Sequence, residues 1–289
     1  FFTNVLPDTI QLLLPLNFHP EDPDTFIYYG GKDCKDIYSS NCKLMSYITR
    51  DGGKTFNELL EDAVHCEFTG SLFEHPFDKN MMNCQIRNIA KNHKSLVSST
   101  DYFKNDKKSV FDNIIGYMNA GGFTIVAVSH GNTELRAYVT LDGEEYAEAK
   151  LPQDLADISQ KTFTVMGTQT GSIFLHMGTT AGKTHPFGDL LKSNSNGTSF
   201  VTLEKNVNSN KKGQVDFEKI QGLEGIILIN TVENSEEVNN DGKDKQLKTK
   251  ITFNDGADWS YITPPNKDST GKKYGCRSGS LEKCSLNLH

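Results

Sequence analysis

The residue types that could do chemistry in this chain are few: four arginines, eight histidines, six cysteines and one Asn-x-Thr sequon. Arg136 stands in the alternating run Leu135-Arg136-Ala137-Tyr138-Val139, where a strand would hold a guanidinium at a fixed height and let it take a carboxylate in a charge-assisted, two-pronged bond. Ser129, on the preceding run, and Tyr138, on the same run, are its polar companions. A one-residue slip of register would put Leu135 in that place, and the same arginine also suits an ordinary surface ion pair. An unperturbed imidazole titrates near pH ~6.5, so His130, beside Ser129, is the first histidine to test as an acid sensor. His19, before Pro20, reads as a turn residue, and His176, inside an apolar run, as a satisfied core histidine.

The cysteines fall into three close neighbours in sequence: Cys34 with Cys42, Cys66 with Cys84, and Cys276 with Cys284. None has C-x-x-C spacing and no histidine stands at ligand spacing to them, so no metal site or cofactor is expected. Local pairing points to three disulfides and an oxidising compartment; six buried thiols of a cytosolic protein are the other reading. Asn196-Gly197-Thr198 is an N-glycosylation sequon, and equally an Asn-Gly turn.

Composition narrows the partners. A net charge of −7 with four scattered arginines (Arg50, Arg87, Arg136, Arg277) argues against a nucleic-acid surface, which needs a concentrated basic face. No apolar run reaches the length a bilayer requires; Ile10 to Leu16 is cut by Gln11 and Pro15. The first residues carry no leader-like pattern, so the expectation is an internal piece of a secretory-pathway protein.

The elements that must position these residues follow a repeat. Thr49-Arg50-Asp51-Gly52-Gly53-Lys54-Thr55-Phe56 has the logic of a side-chain-locked hairpin: Thr49 and Asp51 bond backbone N–H groups, Gly53 accepts positive φ, and Phe56 starts the return strand as an apolar plug. The pattern returns at 252–259, with Thr252, Asn254, Gly256 and Trp259 in the corresponding places, more loosely at 193–200, and in shorter or degraded form at 140–146 and 99–103. Turn starts at 49, 99, 140, 193 and 252 lie 50, 41, 53 and 59 residues apart. Four short antiparallel strands need about 40–50 residues, so the chain reads as all-β, with four to five propeller blades. Between the turns, Phe26 to Gly30, Phe123 to Ser129, Ser172 to Met177 and Gly225 to Asn230 have the β-branched and aromatic character of buried strands. Glu58 to Ala63 favours a short helix by propensity. Phe73 to Asp78 reads as an irregular loop inside the Cys66–Cys84 segment. Asn206 to Gly213 and Glu233 to Lys248 are so polar that they read as solvated insertions.

An eight-residue turn with Ser/Thr, Asp, Gly and an aromatic at these offsets resembles the Asp-box of sialidases, certain glycosidases and sorting-receptor propellers. Leu16 to Pro20 with Pro23-Asp24, the Cys66–Cys84 loop, Leu96 to Asp101, Ile251 to Trp259 with Pro264-Pro265, and Cys276 through His289 resemble the sortilin family of vacuolar protein sorting receptors. Lys150-Leu151-Pro152 and the long loops are nearer the yeast-type members. The resemblance spans essentially the whole chain. It implies that residues 1–289 are a partial domain of a ten-bladed propeller, the luminal part of a transmembrane receptor in late Golgi and endosomal membranes. Such a receptor carries soluble hydrolases to the vacuole, binds their sorting peptides in the propeller tunnel and releases them at lower pH. It also implies that the partner absent here is the rest of the receptor, and that Arg136 matches the blade whose arginine binds a ligand C-terminus. The alternative is an Asp-box glycosidase or sialidase. A sialidase needs three convergent arginines, whereas Arg50 sits in a turn and Arg277 between two cysteines, and the turn acids are occupied in holding turns. The expectation is therefore a binding module with no catalytic residues.

Overall fold

The computed structural model describes residues 10–11, 16–32, 42–70, 78–88, 91–131, 134–156, 162–169, 171–178, 185–274 and 280–288. Cys34, Cys276, the interior 71–77 of the Cys66–Cys84 segment, Asn132 and His289 lie outside them. The chain divides into two compact units, 1–148 and 149–289, each built of antiparallel strands that follow one another in space as they do in sequence.

In the first unit, β1 (Ile10–Gln11) and β2 (Asn17–Phe18) together line one edge of β3 (Phe26–Lys32), which is followed by β4 (Lys43–Thr49) and β5 (Asn57–Glu61). A seven-stranded sheet comes next: β6 (Ala63–Phe68), β7 (Met82–Asn88), β8 (His93–Ser99), β9 (Lys108–Ala120), β10 (Phe123–His130), β11 (Glu134–Thr140) and β12 (Ala147–Glu148). It is two blades sharing one strand. Lys108 to Ile114 of β9 pairs with β8, and from Ile114 onward the same strand pairs with β10. The second unit repeats the scheme with β13 (Thr162–Gln169), β14 (Ser172–Gly178), β15 (Phe187–Ser193) and β16 (Phe200–Asn208), then β17 (Phe217–Lys219), β18 (Ile227–Val232), β19 (Leu247–Thr252) and β20 (Ser260–Tyr261). Counting β9 once for each neighbour gives five β-propeller blades among the described residues, and in every one a box turn joins the third strand to the fourth.

The turns are locked by buried hydroxyls. Thr49 Oγ1 donates to Asp51 Oδ1 at 2.8 Å and accepts from Gly53 N at 2.9 Å, while Asp51 Oδ1 takes the N–H groups of Lys54 and Thr55. Thr252, Asn254 and Gly256 repeat this with distances of 2.9 Å for both hydroxyl bonds, and Thr140, Asp142 and Gly143 do so one residue shorter. Two turns differ from the sequence expectation. The turn at Ser99 is complete rather than degraded: Phe103 N donates to Ser99 Oγ at 2.7 Å, and Tyr102 and Phe103 take the positive φ of 62° and 58° that Gly52 and Gly53 take in the first box. Asp106 replaces the aromatic plug, accepting from Thr100 N and Oγ1 at 2.7 and 2.6 Å and from Ser99 Oγ. Bulky residues seldom hold such backbone, and here Tyr102 is fixed by Asn80 through its hydroxyl and by the Arg50 guanidinium over its ring. In the turn at Ser193 the acceptor is Asn194, not Ser195; its Oδ1 takes Thr198 N at 2.9 Å and Ser199 N at 3.2 Å.

A second device recurs 13 or 14 residues past three of the box starts. Asp62, Asn113 and Asn206 have φ of 58°, 54° and 56° where the fourth strand of one blade becomes the first of the next. Asp and Asn visit this region most easily among residues with a Cβ, and a single such residue turns a strand without ending it. Asp62 shows the transfer directly: its N–H bonds Leu44 O on β4 at 2.7 Å, and its C=O accepts from Arg87 N on β7 at 2.9 Å.

Between neighbouring sheets the faces close dry. Ile27, Tyr29 and Ile48 meet Cys66, Phe68, Met82, Cys84 and Val97 across the first junction. Leu96, Ile114, Val126 and Val128 fill the second with Phe111, Tyr117, Tyr138 and Tyr146 at their margin. Phe174, Leu190, Val207, Phe217, Ile227 and Ile229 fill the junction within the second unit, with Trp259 against them. Each such aliphatic or Phe side chain contributes ~1.5–3 kcal/mol relative to exposure. The Cys66–Cys84 disulfide ties directly opposed residues of β6 and β7 at a Cα separation of 4.0 Å, and Cys42 and Cys284 are also disulfide-bonded.

Three local expectations are corrected. Glu58 to Ala63 is not helical: it belongs to β5 and β6, because pairing Glu61 with Met45 and Leu60 with Ser46 buries Leu59 and Leu60, which no six-residue helix could do. Asn206 to Gly213 begins inside β16, where Val207 is fully buried and pairs with Thr231. Glu233 to Lys248 contains a helix, Ser235–Asp241, docked by Val238 against Phe187, Val232 and Leu247. Its Lys245 ammonium donates to Pro186 O, Asn208 Oδ1 and Ser209 O at 2.6, 2.6 and 2.8 Å, so this stretch, mostly exposed as expected, is also fastened to the sheet.

Two predictions follow from this packing. A Cβ at Gly188 would lie 2.1 Å from the backbone oxygen of Met177, whereas one at Gly171 would enter open space at φ +69°. Gly188→Ala should therefore cost roughly 3 kcal/mol or more and Gly171→Ala about 1 kcal/mol, and equal urea midpoints for the two variants would contradict the register of β14 and β15. The second concerns acid. Bonds from Thr55, Thr49 and Lys54 lower Asp51 from 3.8 to about 2, so the lock is intact above the ordinary carboxylate range and lost only as pH falls through that lowered value. Burial pushes the His176 imidazole below 6.5, against the bond of its Nε2 to Val207 O at 3.2 Å; the stability of the neutral ring is full above 6.5 and declines as pH falls below it. Denaturation midpoints should fall between pH 7 and pH 5 in the native sequence and fall less in His176→Gln, with an unchanged slope excluding His176 as the source.

Candidate functional site

The hairpin of β10 and β11 carries the sequence-derived candidates. Its register pairs Val126 with Tyr138, Val128 with Arg136 and His130 with Glu134, so His130, Arg136 and Tyr138 share one face. Ser129 pairs with Leu135 and lies on the opposite face, with its hydroxyl donating to Gly131 O at 3.2 Å. The structure therefore brings Arg136 and Tyr138 together and adds His130, but separates Ser129 from them, because alternation along a strand reverses facing at each residue.

Arg136 lies near the start of β11, the third strand of its blade. Its side chain is 39% exposed, and its guanidinium reaches Glu148 Oε2, on β12, at 3.5 Å. That is a loose pairing, at the limit of hydrogen-bond length, between two groups in contact with water. Below it, Tyr138 anchors the face: its ring lies 4.8 Å from that of Phe111 on β9, and its hydroxyl meets His130 Nε2 at 3.3 Å. One strand face thus carries a cation, an aromatic ring and an imidazole, with the Glu148 carboxylate next to the cation. A guanidinium so placed has the chemistry to take a carboxylate in a charge-assisted bond.

Sequence reasoning missed a second polar group, on the first strands of two blades. His65 on β6 pairs through Nε2 with Glu67 Oε1 at 2.6 Å, and Glu67 Oε2 is also bonded by Asn119 Nδ2 of β9. Tyr29 stacks on His65, and the Tyr117 ring lies tilted to the same imidazole at 5.9 Å. The i, i+2 spacing of His65 and Glu67 was the only available signal, and it means little until the strand and its neighbour are known. Among the described residues no three His, Cys, Asp or Glu side chains are grouped to hold a metal. His19 accepts the N–H groups of Glu21 and Asp22 on Nδ1. Asn196 is exposed at the tip of its turn.

A family model described as Sortilin-Vps10, "Sortilin, neurotensin receptor 3", matches residues 1–289. The chain belongs to the Sortilin-Vps10 family. It is 57% identical over 289 residues to the vacuolar protein sorting/targeting protein PEP1 of Saccharomyces cerevisiae (strain RM11-1a), covering all of this chain and 18% of that protein. It is 56% identical over 293 residues to the vacuolar protein sorting/targeting protein 10 of Kluyveromyces lactis, covering 19% of it. It is also 56% identical over 289 residues to an uncharacterized membrane glycoprotein, YNR065C, of Saccharomyces cerevisiae (strain S288c), covering 26% of it. This Sortilin-Vps10 chain thus spans about a fifth to a quarter of the length of these relatives. Among solved structures, the β-propeller domain of the Trilobed protease from Pyrococcus furiosus aligns over 84% of this chain and 70% of its own at 10% identity, TM-score 0.46.

If Tyr138 is the floor of the Arg136 site, its ring and its hydroxyl should separate on mutation. Tyr138→Ala is expected to cost about 3 kcal/mol through the lost contact with Phe111 and its core neighbours, and Tyr138→Phe less than ~1 kcal/mol. Chemical denaturation measures both; a neutral Tyr138→Ala would show that the face is not packed as described.

Proposed function

We propose that this chain forms part of the luminal, ligand-binding propeller of a transmembrane sorting receptor of the Sortilin-Vps10 family, and that both of its units belong to one ten-bladed domain. The receptor binds peptide segments of soluble vacuolar hydrolases in the late Golgi and releases them at the lower pH of endosomes. Membership of the family and the sorting and targeting names of the relatives support this reading. The same names do not fit the glycosidase alternative, and the box acids Asp51 and Asp142 spend their oxygens on their own turns.

The observation that carries the site assignment is the partly exposed Arg136 side chain, set on the same strand face as Tyr138 and within 3.5 Å of the exposed Glu148 carboxylate. In this reading Arg136 takes a ligand carboxylate, Tyr138 supports the side chain next to it, and Ser129, on the other face, contributes only by fixing the turn at Gly131. The test is retention of hydrolases by the complete luminal region at pH 7 and pH 5. Arg136→Ala should weaken binding at pH 7 by at least about tenfold, equivalent to ~1.4 kcal/mol, whereas Glu148→Gln should preserve or strengthen it. Equal retention by the native sequence and Arg136→Ala would remove the assignment, and turnover of a glycan substrate by the luminal region would restore the enzymatic alternative.

A further inference from the structure

The turn at 193–200 departs from the other four, and its departure frees one side chain. In the boxes that start at 49, 99 and 252 the fourth residue (Gly52, Tyr102 and Asp255) has φ of 68°, 62° and 58°, and the third residue is the oxygen that clamps the turn. Here the clamp has moved one place earlier, to Asn194, whose Oδ1 takes Thr198 N and Ser199 N while its own N–H bonds Ser199 O at 2.9 Å. Ser193 is used differently too: its hydroxyl accepts from Ile173 N and donates to Asn194 O, both at 2.8 Å. Positive φ is then needed only at Gly197, which has 71°. Asn196, the fourth residue, has ordinary backbone, is exposed, and has no side-chain bond among those made by the described residues.

We propose that Asn196 is an N-glycosylation site, and that the displaced clamp is what lets the folded turn carry a glycan there without strain. The sequon Asn196-Gly197-Thr198 stands at the tip of a rim turn with its carboxamide pointing at no protein partner. Gly197 gives the flexible backbone that lets Thr198 approach that carboxamide in the unfolded chain. The buried Cys66–Cys84 disulfide places folding in an oxidising compartment, which is where the modification occurs. The co-reactant is a lipid-diphosphate-linked oligosaccharide. The Asn196 amide nitrogen forms a bond to the anomeric carbon of the first sugar, the bond from that carbon to the diphosphate oxygen breaks, and the amide loses one proton as the lipid diphosphate leaves. No oxidation or reduction is involved. Once folded, the turn needs nothing from Asn196, so a glycan there disturbs neither the clamp nor Phe200, which is buried behind it.

The complete luminal region, secreted by a eukaryotic host, provides the test. Release of glycans by peptide N-glycosidase in heavy-oxygen water should leave labelled aspartate at position 196, with the labelled peptide accounting for most of that segment. Asn196→Gln and Thr198→Ala should lose the label, and Thr198→Ser should keep it. After enzymatic release of glycans, Asn196→Gln should unfold at the same denaturant concentration as the native sequence, whereas Asn194→Ala should unfold earlier and still carry glycan in its folded fraction. An unmodified Asn196, or an aspartate without heavy oxygen from spontaneous Asn-Gly deamidation, would overturn the site. A loss of stability in Asn196→Gln equal to that of Asn194→Ala would overturn the displaced clamp. Neither readout depends on Arg136 or on cargo.

Discussion

The hydroxyl at the end of the third strand of a blade is the interaction on which the remaining structure depends. Thr49, Ser99, Thr140 and Thr252 are buried almost completely, and each uses its one donor and one of its acceptor sites inside the turn that follows. A buried hydroxyl without partners costs free energy, and one that donates to the clamp oxygen and accepts a turn N–H fixes both ends of a hairpin at once. The turn then delivers its aromatic residue to the core: Phe56 to Tyr28, Met45 and Tyr47, Tyr146 to Phe111, and Trp259 to the Phe174 cluster. The blade with Asp106 in that place achieves closure by hydrogen bonds, and its ring contacts come from Tyr102 and Phe103 instead.

Fixing the hairpin also fixes what comes after it. The strand leaving the turn must cross to the next blade, and the single left-handed residue at Asp62, Asn113 or Asn206 makes the crossing while the backbone continues to pair on both sides. Consecutive sheets are therefore coupled through covalent strands as well as through their apolar faces. The site at Arg136 inherits that rigidity. Its strand is held by β10 and β12, its floor residue Tyr138 rests on Phe111 of the preceding blade, and β9, which carries Phe111, belongs to both. A guanidinium on such a support loses little freedom when it takes a carboxylate, which favours binding over a flexible surface arginine.

Much of this was legible in the residues. Recurrence of Ser/Thr, Asp/Asn, Gly and aromatic at fixed offsets located the turns at 49 and 252, looser or shorter copies located those at 99, 140 and 193, and β-branched and aromatic runs located β3, β10, β14 and β18. What misled were segments whose local preference was overruled by pairing. Glu58 to Ala63 has helix formers yet buries Leu59 and Leu60 as a strand. Glu233 to Lys248 is rich in charge, Asn and Gly, yet one valine and one lysine moor it. Ser195 matched the expected offset, but the oxygen that clamps is that of Asn194.

The residue types alone pointed to a β-repeat chain with disulfides and singled out Arg136 as a candidate anion anchor, because hydrogen-bonding turns and alternation are short-range properties. Only the tertiary structure decided which of Arg136, Ser129 and Tyr138 share a face, that His130 and Glu148 join them, and that His65, Glu67 and Asn119 meet. Those outcomes depend on cross-strand register and on which strand lies next to which. Register changes facing with a single-residue slip, and strand neighbours are set by contacts between residues far apart in sequence, where local composition carries no information.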